Sequence, residues 1–123
     1  MNIEFDFKGK VYAIFVYGTL MSGKRASHML DGYEYCGDYQ LKDYAMYNVS
    51  TYPGIKEKTG ECVLGEVYLV DDACIRKMDE YEEEGSLYLR KLVTVENEHG
   101  SLEAFVYVYN HECTGPIVRG KWN

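Results

Sequence analysis

The stretch Ile14–Met29, IFVYGTLMSGKRASHM, runs from an apolar β-type segment through a glycine loop into a helical pattern. Gly18 and Gly23-Lys24 stand at the spacing of the phosphate-cradling loop G-x-x-x-x-G-K-S/T, with Arg25 where the final hydroxyl residue belongs. Further on, Val67-Tyr68-Leu69-Val70-Asp71 imitates an apolar strand ending in a magnesium-holding aspartate. Taken together, these would make a nucleotide-binding α/β domain. Arg25 offers no hydroxyl to magnesium, and that hydroxyl is part of the chemistry. The fold would also require helices alternating with parallel strands, and a chain of 123 residues is short for it. The nucleotide reading is set aside on these grounds.

The loop keeps a physical meaning without phosphate. Gly18 ends an apolar strand at a point where the main chain is left open, and glycine allows a ligand to approach the backbone closely. Free N–H groups at such a turn favour an anion or a polarised carbonyl. The alternative is a plain strand-to-helix turn with no ligand.

Working outward, Val11 to Tyr17 reads as a buried strand and Arg25 to Leu30 as a short helix closed by Asp31-Gly32. Tyr33 to Gln40 and Asp43 to Val49 read as two strands separated by a brief break. Tyr52-Pro53-Gly54-Ile55 reads as a turn, and Glu57 to Glu61 as a polar hairpin tip leading into a strand over Val63 to Val70. Asp71 to about Glu84 has a helical pattern with acidic residues at its start. Leu87 to Glu96 and Leu102 to Tyr109 flank Glu98-His99-Gly100-Ser101 as a hairpin, and the tail from Cys113 is mostly irregular. Strands joined by turns, with two short helices, predict one α+β domain over residues 1–123 whose largely antiparallel sheet curls into a barrel.

Composition narrows the function classes. The chain carries a net charge of −7, which argues against a nucleic-acid partner and gives no attraction to anionic lipid. No apolar run approaches membrane-spanning length. Thirteen tyrosines favour strands and need polar partners at their hydroxyls. Cys36, Cys62, Cys74 and Cys113 form no C-x-x-C pair, and His28, His99 and His111 form no metal-ligand motif, so no metal is expected. No signal-type segment opens the sequence, so the expectation is reduced thiols in a cytoplasmic setting.

The second helix holds one residue out of place. At about 100° per residue with Ile75 at zero, Met78 falls near 300° and Glu82 near 340°, on the apolar stripe. Asp72, Arg76, Lys77, Glu80, Glu83 and Glu84 cluster at roughly 60° to 200°, a solvated face. A carboxylate on the buried side is costly, and burial raises its pKa. The negative end of the helix dipole acts in the same direction. Both move Glu82 toward the range of a general acid/base. Should the helix end early, Glu82 would face water instead. Beyond it, Tyr88 alternates with Leu87 and Leu89 as a strand residue. Arg90 is read as a surface charge or the partner of an acid.

The ordered set FVYGTLMSG, YPGI, VLGEVYLV, MDEYEEEGSLYLR, AFVYVYN and RGKW resembles the gamma-glutamylcyclotransferase-like family, and within it the short branch of gamma-glutamylamine cyclotransferases and small bacterial members. The resemblance spans about residues 11 to 122. It implies a small β-barrel with flanking helices and the release of an amine from a gamma-glutamyl amide. The glutamyl part closes to 5-oxoproline by intramolecular acyl transfer, without metal or cofactor. Matched by motif, Glu82 would be the catalytic carboxylate. Tyr17, Gly18, Thr19 and Leu20 would form the substrate loop and Tyr88 would line the pocket, joined by Tyr107 or Tyr109. Arg90 would support the fold near the site. The partner implied is a small-molecule gamma-glutamyl substrate; the amine released and the oligomeric state are not legible. The chain departs from the family in three places. Glu83 and Glu84 precede Gly85 where the family has Gly directly after the glutamate, so either could take the role of Glu82. Thr19 stands where Ser is frequent, and Lys121 where an acid is common. A gamma-glutamyl or small-ligand binding module of the same fold, without turnover, is the alternative function.

Overall fold

The computed structural model describes residues 11–21, 23–24 and 27–122. Strand β1 (Val11–Val16) is followed by a 3-10 turn (Ser27–Leu30) and by the long strands β2 (Glu34–Asn48) and β3 (Pro53–Asp71). Helix α1 (Asp72–Glu82), the hairpin β4 (Tyr88–Asn97) and β5 (Gly100–Tyr109), and a short β6 (Ile117–Val118) complete the order. The sheet runs β3-β1-β5-β4-β2-β6, and β2 also pairs with β3, so the first five strands close on themselves. Closure leaves few exposed strand edges. All pairings between the named strands are antiparallel except β1 with β5, at Ile14↔Phe105. The expected α+β, mostly antiparallel barrel-like sheet is present, and it flanks one α-helix and a 3-10 turn. Of the first helix, Arg25 and Ala26 lie outside the described residues.

β1 is apolar throughout because both its faces are covered. Phe15 points inward to a cluster with Met46, Ile55, Val67 and Val106. Ile14 and Val16 point outward beneath α1, where they meet Val70, Ile75 and Met78. Gly65 on β3 makes this crossing possible. A Cβ there would stand 2.4 Å from the Val16 carbonyl oxygen and 2.7 Å from the Phe15 ring, closer than any side chain tolerates.

Two readings from the sequence are corrected in the β2–β3 hairpin. Tyr33 to Gln40 and Asp43 to Val49 belong essentially to one strand, Glu34–Asn48, whose register shifts at two places, between Tyr35 and Gly37 and at Asp43, where φ is 65°. The hairpin tip lies at Val49 to Tyr52, earlier than the turn read at Tyr52 to Ile55 and the tip read at Glu57 to Glu61. Val49 N–H donates to the Tyr52 carbonyl at 3.0 Å, so the tip lies there, and Pro53 opens β3. Proline is admitted at that first strand position because no ladder N–H is required of it. Glu57 to Glu61 is no tip. Lys42 pairs with Cys62 and Tyr44 with Glu57, so residues 58–61 bulge opposite Asp43 alone. The Asp43 carboxylate accepts the Gly60 N–H at 3.0 Å, which satisfies the bulge.

Helix α1 starts where Asp71 accepts the Cys74 N–H at 2.9 Å, as an N-cap should. It stops at Glu82, two residues before the pattern suggested, because Glu83 turns left-handed at φ 52°, ψ 55°. The Glu84 N–H then reaches back to the Asp79 carbonyl at 2.9 Å, closing the end of the helix. All four cysteines are free thiols. Among the described residues no helix is long and apolar enough to cross a membrane, and no group of side chains has the makings of a metal site.

Candidate active site

Three elements converge on one side of the closed sheet. β1 ends and turns through Tyr17–Leu20, the last turn of α1 arrives with Glu82, and Tyr88 and Tyr107 rise from β4 and β5. Between them lies a cavity of about 230 Å³. Tyr17, Gly18, Thr19, Leu20, Glu82 and Tyr88, the residues singled out in the sequence, all line it.

Glu82 is half-buried, and among the described residues nothing forms a hydrogen bond or ion pair with its carboxylate. Burial alone pushes its pKa from 4.5 up to about 7. Among the described residues, no Lys, Arg or His lines the cavity. Glu83 also lines it but is exposed. Glu84 does not. It is exposed, and its carboxylate accepts the Arg90 N–H at 3.2 Å.

The loop opposite is held in shape by its own bonds. Met21 N–H donates to the Gly18 carbonyl at 3.0 Å, while the amides of Thr19 and Leu20 have no partner among the described residues. Gly18 lies against the Pro53 ring, where a Cβ would come within 2.8 Å of Cγ. The Tyr17 hydroxyl donates to the Tyr107 carbonyl at 2.7 Å and the Tyr88 hydroxyl to the Pro53 carbonyl at 2.5 Å. Burial raises both phenol pKa values, and the nearby Tyr and Glu82 charges add to the effect. Both phenols therefore stay neutral, with their protons already committed to carbonyls. Thr19 Oγ1 lies 2.7 Å from the Tyr81 hydroxyl, so the loop is tied directly to the helix beside Glu82.

Tyr107 and Tyr109 project from the same face of β5, and their places along the strand separate them. Tyr107 lines the cavity, whereas Tyr109 packs edge-on against Tyr88 with ring centroids 5.4 Å apart. Arg90 pairs with Asp79, the acid that the sequence reading left unnamed. Tyr81, Tyr52 and Pro53 also line the cavity and were missed. Each lies inside a quoted motif, MDEYEEEG or YPGI or its preceding residue, so position in the motif was the available signal.

The protein is thus a small closed sheet whose cavity holds a half-buried carboxylate, without a partner among the described residues, beside a glycine turn. Residues 14–123 match the family model described as gamma-glutamyl cyclotransferase, AIG2-like, and the chain belongs to that family. It is 34% identical over 111 residues to the gamma-glutamylcyclotransferase family protein YtfP of Escherichia coli K12, covering 89% of this chain and 94% of that one. It is 32% identical over 115 residues to the bovine gamma-glutamylaminecyclotransferase, covering 83% and 68%. The crystal structure of an AIG2-like protein from mouse superposes with a TM-score of 0.75 at 27% identity, over 84% of this chain and 80% of that one.

Proposed function

We propose that this protein is a cyclotransferase that releases an amine from a gamma-glutamyl amide and forms 5-oxoproline, with Glu82 as general acid/base. The observation that carries the reading is the Glu82 carboxylate, half-buried and without a partner among the described residues, in a cavity it shares with the Tyr17–Leu20 turn. The substrate's α-ammonium must first lose a proton. Glu82 takes it, and the freed amine attacks the γ-carbonyl carbon. A C–N bond closes the five-membered ring, and the original amide C–N bond breaks. Glu82 returns that proton to the departing nitrogen, the ring nitrogen gives up its second proton as the lactam forms, and the amine takes up this one too and leaves as an ammonium, so no water is consumed. A pKa of about 7 suits a group that must both accept and give near neutrality.

The backbone supplies the complement. The N–H groups of Thr19 and Leu20, without a partner among the described residues, would hold the glutamyl carboxylate or the developing oxyanion, which no described cation of the cavity answers. Ring closure is intramolecular, so a cavity that keeps the glutamyl chain bent supplies much of the acceleration. Tyr17, Tyr88 and Tyr107 wall the chain with neutral rings. The test is release of 5-oxoproline from a panel of gamma-glutamyl amides by wild type and Glu82→Gln. Release that collapses in the variant is expected. Ligand-induced thermal stabilisation with no 5-oxoproline from the wild type would replace the enzyme with a binding module. Activity surviving in Glu82→Gln would move the role to Glu83 or Glu84.

A further inference from the structure

Two ties join the Tyr17–Leu20 turn to the helix that carries Glu82. The direct one is Thr19 to Tyr81. The longer one passes through β5. Tyr17 donates to the Tyr107 carbonyl, and the Tyr107 hydroxyl donates to Asp79 Oδ1 at 2.6 Å. The other Asp79 oxygen pairs with the Arg90 guanidinium, which lies 5.3 Å from the centre of the Phe105 ring. Asp79 stands three residues before Glu82, in the last turn of α1, and its carbonyl accepts the N–H that closes the helix.

Neither Asp79 nor Arg90 lines the cavity, and the chemistry above uses neither. The pair is 28% exposed on each side, so both charges are largely withdrawn from water. Apolar residues in their place would hold β4 to α1 as well, because desolvation offsets most of the attraction between buried charges. What a guanidinium, a carboxylate and a phenol add is direction: a hydrogen-bonded fork fixes how the helix end is rotated.

We propose that Asp79 is a positioning residue for Glu82: clamped between Arg90 and Tyr107, it fixes the last turn of α1 so that the Glu82 carboxylate stays in the cavity facing the Tyr17–Leu20 turn. The role rests on Glu82 being the acid/base. Among the described residues, the titratable groups around Glu82 are Tyr17 after β1, Tyr52 before β3, Tyr81 and Glu83 at the end of α1, Tyr88 on β4 and Tyr107 on β5, with Cys113 of the tail acting on Tyr17 and Tyr88. None carries a positive charge. The protonation of Glu82 is therefore governed by burial, and loosening the helix end would admit water to it.

The experiment compares wild type with Asp79→Asn, Arg90→Lys and Tyr107→Phe. It reads the melting temperature, kcat and KM for 5-oxoproline release from the gamma-glutamyl amide the wild type turns over fastest, and an NMR titration of the Glu82 side-chain carboxyl carbon. Asp79→Asn should lower kcat about 10- to 100-fold with KM little changed, the scale of a small misplacement at a reacting centre. Its Glu82 titration should fall from about 7 toward 4.5. Arg90→Lys, which keeps the cation, should retain most of both. Tyr107→Phe keeps the ring and the ion pair, so it should show the same changes in smaller degree. It carries the test if Asp79→Asn does not fold. A destabilised variant in which the Glu82 titration and kcat are both unmoved would overturn the proposal and leave Asp79 a purely structural residue. If the wild type releases no 5-oxoproline, the proposed reaction fails. The titration then still decides whether Asp79 places the carboxylate.

Discussion

Glu82→Gln should stabilise the protein, and by an amount that depends on pH. The carboxyl titrates near 4.5 when exposed and at about 7 in the folded chain, with burial as the whole cause. Below 4.5 it is protonated in both states and contributes nothing to pH dependence. Between 4.5 and about 7 the folded state keeps its proton while the unfolded state sheds it, so stability falls as pH rises. Above that range both states are ionised and the loss is complete. At about 1.36 kcal/mol per pH unit the penalty reaches roughly 3 kcal/mol. Glutamine fills nearly the same volume and never ionises, so it removes up to that amount. Urea denaturation of both proteins at intervals from pH 4 to pH 8 measures the difference. The curves should lie close together at the acid end and diverge through pH 4.5 to 7, with the inactive variant the more stable. A constant offset across the range, or a variant less stable at pH 8, would refute a carboxylate strained by burial.

Wild-type kcat/KM should show an acidic limb near pH 7, set by ionisation of Glu82, read from the pH profile of 5-oxoproline release. Gly18→Ala drives a Cβ to 2.8 Å from the Pro53 ring, and a stiff ring cannot swing aside. It should cost about 1–3 kcal/mol by denaturation and impair turnover by distorting the turn. Glu83→Gly relieves the left-handed backbone at φ 52° and should stabilise by about 1 kcal/mol, with Glu84 and Gly85 left in place. Met78→Ala empties a fully buried position between α1 and the sheet and should cost about 2–5 kcal/mol.

The features legible in the sequence were those written in local periodicity. Glu82 on the apolar stripe of α1, the β4–β5 hairpin around Glu98-His99, and the strand that breaks at Gly18 each follow from the preferences of residues a few positions apart. These preferences were enough to reject a parallel nucleotide fold and to single out the carboxylate. Partnerships between distant segments were not legible. Pro53-Gly54 has turn chemistry, yet it opens β3, because Pro53 has no N–H to give and stands at the first strand position, where the ladder asks for none. Glu57–Glu61 has the polarity of a tip, yet it bulges beside Asp43, which accepts its Gly60 N–H across the strand pair. Tyr107 and Tyr109 share one face of β5, so alternation along the strand could not separate them; only the packing around each decides that Tyr107 lines the cavity while Tyr109 lies against Tyr88. Only packing of α1 across β4 and β5 brings Asp79 to Arg90 and Tyr107. Local sequence thus determined which groups are suited to the chemistry. Their distances and the desolvation of Glu82 came from sheet closure, because burial arises from contacts between residues far apart in the chain.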